Sequence, residues 1–386
     1  MKPLTDYSHI RGFCHHVDTD DVRLRRELGY AKKLDLNSTR VWLSFEKYEE
    51  DPKGYVEGLI RFVRTCWEMG VSVMPILFNG NMLKEFTLEK EFYPRGEVYA
   101  AAVVEALKDE PGLIMWDVMN EPSCNDFIHK SPREERPARL EKLWDFCRHF
   151  CEFVRSLDPV NAITLGHTVP MDVEPTADCV DVLSFHDYKG TRARVEESYE
   201  AMEALSEKTG KPILNTELCC LCRANPYDMA LEKAREHHTG WYLFNLMIGD
   251  GVWGCVHGIF YPDGTVRDPS VPAAVLGIYR NRDPETHKAA QPNQEGHAER
   301  AIEEALTVLQ LDRTDAFKAH SHSVEEILEA AEYCANTLEC CELVPMNEPP
   351  TLQINRFRAQ KNPSLDEVKA FCYKLVQQLR QAARSE

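Results

Sequence analysis

Two glutamates, each closing a short apolar run, are the residues of this chain best placed to do chemistry. Glu121 ends Gly112-Leu-Ile-Met-Trp-Asp-Val-Met-Asn120-Glu121, and Glu217 ends Pro212-Ile-Leu-Asn-Thr-Glu217. A short apolar run bounded by turn residues reads as a buried strand, here a strand that finishes in a carboxylate. Where parallel strands close a barrel, their C-terminal ends form the rim on which catalytic groups collect. Two carboxylates on one such rim are what cleavage of a glycosidic bond requires. Taken singly, each glutamate would be read as a solvated rim residue.

Their neighbours lower the weight of that bland reading. Asn120 precedes Glu121 and Pro122 follows it, which fixes the local turn and bars an immediate helix. The Asn120 amide could bond a sugar hydroxyl. In Ser184-Phe-His-Asp-Tyr188, strand alternation puts His186 and Tyr188 on one side, where together they could orient a carboxylate. Arg40 stands where an aliphatic residue is expected in a strand, and a buried guanidinium needs an anionic partner, for which a catalytic glutamate is the obvious candidate. Trp253, assigned to the eighth strand, would offer an indole platform to the apolar face of a sugar ring.

The elements that must hold these residues alternate. Candidate strands begin at Ile10, Ser38, Ser72, Leu113, Ala162, Asp181, Pro212 and Gly251. Helical patterns separate them over Asp21–Leu34, Tyr55–Met69, Val98–Lys108, Arg139–Leu157, Val195–Thr209 and Ala230–Met247, with a last helix over Pro272–Tyr279. Eight strand–helix units predict an α/β fold, a (β/α)8 TIM barrel, over residues 1–282. A polar linker over 283–296 and a helical C-terminal extension over 297–386 follow. Helices are expected near His297–Gln310, Ser323–Leu338 and Ser364–Ala383. Ser323 with Glu326 and Ser364 with Glu367 have capping-box spacing. The extension is expected to pack on the barrel or on a neighbouring subunit, which would make the chain a homo-oligomer.

Composition removes several function classes. The 386 residues carry a formal charge of -18, which disfavours nucleic acid and anionic membranes as partners but leaves a neutral sugar unhindered. No apolar run is long enough for a membrane span. The N-terminus lacks the apolar stretch of a signal peptide. Of the 14 cysteines, Cys14, Cys66, Cys147, Cys151, Cys255 and Cys372 fall inside expected strands or helices. They read as buried free thiols of a cytoplasmic protein. Cys219, Cys220 and Cys222 cluster after Glu217, but Cys340-Cys341 lacks the spacing of a partner pair, so no metal is expected.

At these positions the chain resembles the clan A glycoside hydrolases, most closely family 5, the cellulase and mannanase-like group. The likeness runs in motif order from about Ile10 to Tyr279. It implies that Glu121 is the general acid/base, with Asn120 touching the sugar 2-hydroxyl, and that Glu217 is the nucleophile. It maps the sixth-strand His-x-Tyr onto His186 and Tyr188, the second-strand arginine onto Arg40 and the eighth-strand tryptophan onto Trp253. The chain departs from the family after the third strand. There Phe78-Asn79-Gly80-Asn81 replaces a usual histidine, leaving Asn79 or Asn81 to contact the sugar. The resemblance implies retaining hydrolysis of a β-glycoside without a cofactor. For a cytoplasmic enzyme the expected substrate is a small β-linked oligosaccharide or glycoside, attacked from its end. An endo-acting glucanase, mannanase or xylanase, a transglycosidase, and a carbohydrate-binding barrel without activity are the alternatives. Glu85–Gly96 and Ser123–Pro137 are long enough to wall off one end of the cleft.

Overall fold

The computed structural model describes residues 4–220, 225–278, 323–325, 327–329, 332, 350–360 and 363–383. Eight parallel strands close into a barrel in sequence order: β1 (Arg11–His16), β2 (Ser38–Trp42), β3 (Ser72–Asn79), β4 (Met115–Asn120), β5 (Ala162–His167), β6 (Leu183–Asp187), β7 (Ile213–Leu218) and β8 (Gly240–Leu243). The main outer helices are α1 (Asp21–Lys33), α3 (Pro52–Glu68), α4 (Tyr93–Leu107), α6 (Arg136–Leu157), α7 (Arg192–Thr209) and α8 (Tyr227–Glu236). Short helices α2 (Phe45–Glu50) and α5 (Asp126–His129) follow β2 and β4, and α9 (Gly251–Val256) and α10 (Ser270–Val275) follow β8.

Side-chain alternation divides the apolar residues into two cores. Phe13, Val41, Trp116, Val118, Ile163 and Phe185 face outward and pack beneath the helices. Cys14, Met74, Met115, Val182, Leu214 and Tyr242 fill the barrel interior. Polar interior groups pair with one another, as Ser38 does with Tyr242 (2.7 Å) and Thr164 with Ser184 (2.6 Å). The six thiols expected to be buried are buried and unbridged. Among the described residues no helix is long and apolar enough to cross a membrane.

The eighth strand corrects the sequence reading. It is Gly240–Leu243, inside the stretch read as a helix over Ala230–Met247, while Gly251–Val256, read as the strand, is the single helical turn α9. Trp241-Tyr-Leu-Phe is apolar without a break, so its period does not separate strand from helix. Only three residues (His237, His238, Thr239) lie between the end of α8 and β8.

The linker 283–296 and the helix expected near His297–Gln310 lie outside the described residues, as does Glu326 of one capping box. The other box is formed: Ser364 N and Oγ both bond Glu367 Oε2, at 2.7 and 2.8 Å. It starts α12 (Leu365–Ala383), preceded by a helix absent from the sequence reading, α11 (Pro350–Arg358). This extension touches the barrel beside α5. Glu332 pairs with Lys130 (3.0 Å) and with Arg358, and Thr351 Oγ1 donates to the His129 carbonyl (3.4 Å).

Candidate active site

Glu121 is the first residue after β4, and Glu217 is the penultimate residue of β7. The two are only 4% and 5% exposed at the barrel mouth. Irregular register brings the site residues inward. Pairing shifts between Asp117 and Asn120 in β4, between Phe185 and His186 in β6, and between Asn215 and Leu218 in β7. A bulge re-aims the side chains beyond it, so both Asp117 and Asn120 reach the interior although they are an odd three positions apart. The backbone at Glu121 adopts a left-handed φ of +42°, held by a 2.7 Å bond from its amide to the Gly166 carbonyl.

Arg40, fully buried on β2, organises the floor. Its Nε donates to Asp117 Oδ2 (2.8 Å), its Nη1 to Glu217 Oε1 (2.6 Å) and its Nη2 to Asn120 Oδ1 (2.7 Å). Burial opposes the guanidinium charge, but Asp117 and Glu217 outweigh it and hold Arg40 protonated, above its ordinary range. Tyr188 Oη donates to Glu217 Oε2 at 2.7 Å, so both oxygens of Glu217 are held. Glu121 is held as fully: His186 Nδ1 lies 2.8 Å from its Oε1, and Asn81 Nδ2 donates to its Oε2 at 2.9 Å. The same His186 nitrogen stands 3.6 Å from Glu217 Oε2, placing the ring between the carboxylates.

Asn79 and Asn81 take different places. The Asn120 amide donates to both, at 3.0 and 3.3 Å, but only Asn81 is bonded to Glu121. Gly80 lets their loop come this close, because a Cβ there would lie 2.0 Å from the Glu121 carbonyl oxygen.

A cavity of about 720 Å3 opens over this cluster, a size usual for a small-ligand site. Glu121, Glu217, Asn79, Asn81, Asn120 and Tyr188 line it, and so does Trp253. Trp253 therefore faces the site from α9 rather than from the eighth strand. The residue that does follow β8 is Phe244, which also lines the cavity and packs edge-on to Trp42 (5.6 Å) and His257 (4.7 Å). Phe244, Trp42 and Asp117 are the site residues the sequence reading passed over. Asp117 had a signal, since an acid two residues from inward-facing Met115 must meet a partner inside the barrel. Of the two stretches expected to wall the cleft, Glu85–Gly96 contributes Thr87 and Phe92, whereas Ser123–Pro137 contributes nothing to the lining.

One ligand atom each from Glu121, His186 and Glu217 lie within 4.8 Å of one another, close enough to grip a cation. Arg40 already places a full positive charge 2.6 Å from Glu217, which repels one. Cys219 and Cys220 are buried and not disulfide-bonded, while Cys222, Cys340 and Cys341 lie outside the described residues.

Fold and site together define a (β/α)8 barrel with a buried, fully hydrogen-bonded carboxylate pair at the C-terminal rim. No protein-family model matches the chain, and no curated protein sequence does. Solved structures match it through the barrel. A GH5_18 structure from Streptomyces cattleya in complex with GlcNAc has a TM-score of 0.56 at 15% identity, over 73% of this chain and 81% of that one. An endo-1,4-β-mannanase from Rhizomucor miehei gives 0.54 at 13%, over 69% and 92%. A GH2 β-galacturonidase from Eisenbergiella tayi, bound to galacturonate, gives 0.52 at 17%, over 69% of this chain and 51% of that one. The chain thus spans about half the length of the galacturonidase. At such identities the likeness is one of fold.

Proposed function

We propose that this protein is a β-glycoside hydrolase acting by double displacement with retention, closest in its motifs to glycoside hydrolase family 5. The observation that carries the reading is the spacing of the carboxylates, whose nearer oxygens fall within 4.8 Å. That closeness favours direct attack, where the carboxyl groups stand about 5–5.5 Å apart, over the roughly 6.5–9.5 Å that admits a water between acid and sugar. Glu217 attacks the anomeric carbon and forms an ester with it as the glycosidic C–O bond breaks, and protonated Glu121 gives its proton to the departing oxygen. Water then attacks the ester, Glu121 takes its proton, and Glu217 leaves as a carboxylate. Arg40 counters the charge of Glu217 in its free state, and Tyr188 donates a hydrogen bond to it. His186 and Asn81 aim Glu121.

The cavity supports action at a chain end on a short oligosaccharide or small β-glycoside. Its lining is lopsided: it comes from the ends of β1–β4, β7 and β8, from α2, α3 and the segment after β3, and from Phe146, Trp253 and His257, with Tyr188 alone from the β6 side and nothing from β5. The solved structures of like fold hold GlcNAc, Manβ1-4GlcNAc and galacturonate, sugars that fit this reading without selecting among themselves. Buried, unbridged thiols support a cytoplasmic setting.

Chromophore release from a panel of aryl β-glycosides, run beside Glu217→Gln, tests the proposal. Turnover abolished in the variant, with the β-anomer released first by NMR, is the expected result. An α-anomer as first product overturns retention. Binding without turnover by the intact protein replaces the hydrolase with a lectin-like barrel, and transfer to an added acceptor sugar makes it a transglycosidase.

A further inference from the structure

Two basic side chains on the cavity wall are left unused by the mechanism. His16 ends β1, inward by alternation with Cys14, and Lys47 lies in α2 just beyond β2. Both line the cavity that holds the glutamate pair. They are near enough for Lys47 to help hold the His16 imidazole below its ordinary range, after burial and His15. Among the described residues, neither side chain is joined to a carboxylate. Elsewhere on this chain of net charge -18, exposed cations are commonly paired: Arg25 with Asp21 and Glu68, Arg64 with Glu110, Arg95 with Glu49, Lys142 with Glu89. The acids that share the cavity are engaged as well, Glu46 by Ser44 Oγ at 3.1 Å and Glu121 and Glu217 by the donors already described. The cavity wall therefore offers one cation outside any salt bridge, Lys47, and beside it the His16 imidazole, both exposed, near Trp42, whose ring centroid is 6.3 Å from that of His16.

A neutral sugar leaves the Lys47 ammonium without a salt-bridge partner. An anionic one matches it. We propose that the glycoside this site takes carries an anionic group on its terminal sugar, a carboxylate or a phosphate at the 6-position, read by Lys47 and His16. The inference rests on the glycosidase reading and narrows its substrate class. A charge-assisted contact of this kind is the usual way that a pocket tells an anionic ligand from its neutral twin.

The experiment compares three series of aryl β-glycosides in gluco, manno and galacto configuration: neutral hexosides, hexuronides and 6-phosphohexosides. The wild type is run beside Lys47→Gln. The expected result is a kcat/KM for one anionic series at least about tenfold above its neutral counterpart, with Lys47→Gln collapsing that anionic-to-neutral ratio about tenfold. The hexuronide and phosphohexoside arms decide which anion it is. Equal or better turnover of the neutral series, or an anionic preference untouched by Lys47→Gln, overturns the inference and leaves the glycosidase reading intact. If no series turns over, the glycosidase reading fails instead, and titration calorimetry with glucose, glucuronate and glucose 6-phosphate decides the anion question by itself. Binding of glucose as tight as that of both anions overturns it.

Discussion

Arg40 and Asp117 form an ion pair that solvent does not reach, with Nη2 2.8 Å from Oδ2 and neither side chain exposed. The pair sits one layer below the carboxylates: Nε donates to Asp117 as well, while Nη1 donates to Glu217 and Nη2, besides facing Asp117, donates to Asn120. Its role in stability follows from burial. Arg40→Met strands Asp117 without a counter-charge, and breaking a buried pair from one side costs about 3–5 kcal/mol. We expect a correspondingly early chemical denaturation midpoint for Arg40→Met, and recovery of part of the loss in the double variant with Asp117→Asn. Simple addition of the two single losses would mean that the pair is not coupled.

Glu121 and Glu217 should fail differently. Removing a general acid costs about 10²–10⁴-fold, and the cost shrinks when the leaving group needs no proton. Glu121→Ala is therefore expected to retain more activity on a dinitrophenyl glycoside than on an alkyl glycoside. Azide, small enough for the space vacated, should restore rate and yield a β-glycosyl azide. Glu217→Ala with azide should instead give the α-product. The same anomer from both variants would reverse or void the assignment.

The bond from Asn81 to Glu121 separates two asparagines that the sequence could not. Asn81→Ala removes a donor from the carboxyl, a loss of about 1.5–3 kcal/mol for a bond to a charged group, and it should appear in kcat. Asn79→Ala touches Glu121 only through Asn120 and should change kcat less. Steady-state kinetics of both variants check this, and equal kcat losses would place Asn79 in the same role.

Much of this site could be read from the chain because its residues interrupt apolar strands. Arg40, His186, Glu121 and Glu217 are chemistry-bearing types at positions where barrels ordinarily place aliphatic ones, and each interruption marks the rim. Residue type alone does not carry register. The shifts in β4, β6 and β7 decide that Asp117 and Asn120 share the interior, and such bulges leave no mark in apolar periodicity. The same limit displaced the eighth strand. Gly251-Val-Trp-Gly-Cys-Val has strand composition, yet Gly251 has a φ of +80° and the segment turns as a helix. Trp253 was thus found at the site for the wrong structural reason, and Phe244 was overlooked.

Gly166 is where the floor of the site permits no side chain. A Cβ there would lie 2.5 Å from Arg40 Nη2 and 2.9 Å from Asp117 Oδ2, in the middle of the buried pair. Neither partner can yield without losing its bond. Gly166→Ala should cost about 1–3 kcal/mol as overpacking, and it should lower kcat because the Gly166 carbonyl also holds the Glu121 amide. Thermal melting and kinetics on one preparation test both. A stable, fully active alanine variant would show that the floor relaxes freely.

Acid should unfold this protein through two buried histidines. His167, bonded to Thr176 Oγ1 at 2.8 Å, is brought to about 3 by burial and then by His186. His129, in α5 beneath the C-terminal extension, is brought to about 3 by burial and then by Arg136. Both folded values lie below the ordinary 6.5. The folded state therefore binds fewer protons than the unfolded chain between those limits, and stability must fall as pH falls. The contribution is whole above pH 6.5 and shrinks by up to about 1.4 kcal/mol per pH unit for each ring below it. Denaturation midpoints between pH 7.5 and 5 should fall steadily, and His167→Gln should flatten that slope whatever it does to stability at pH 7.5. An unchanged slope in the variant would mean that His167 is already protonated in the folded protein, and the Thr176 hydroxyl would then be accepting its proton.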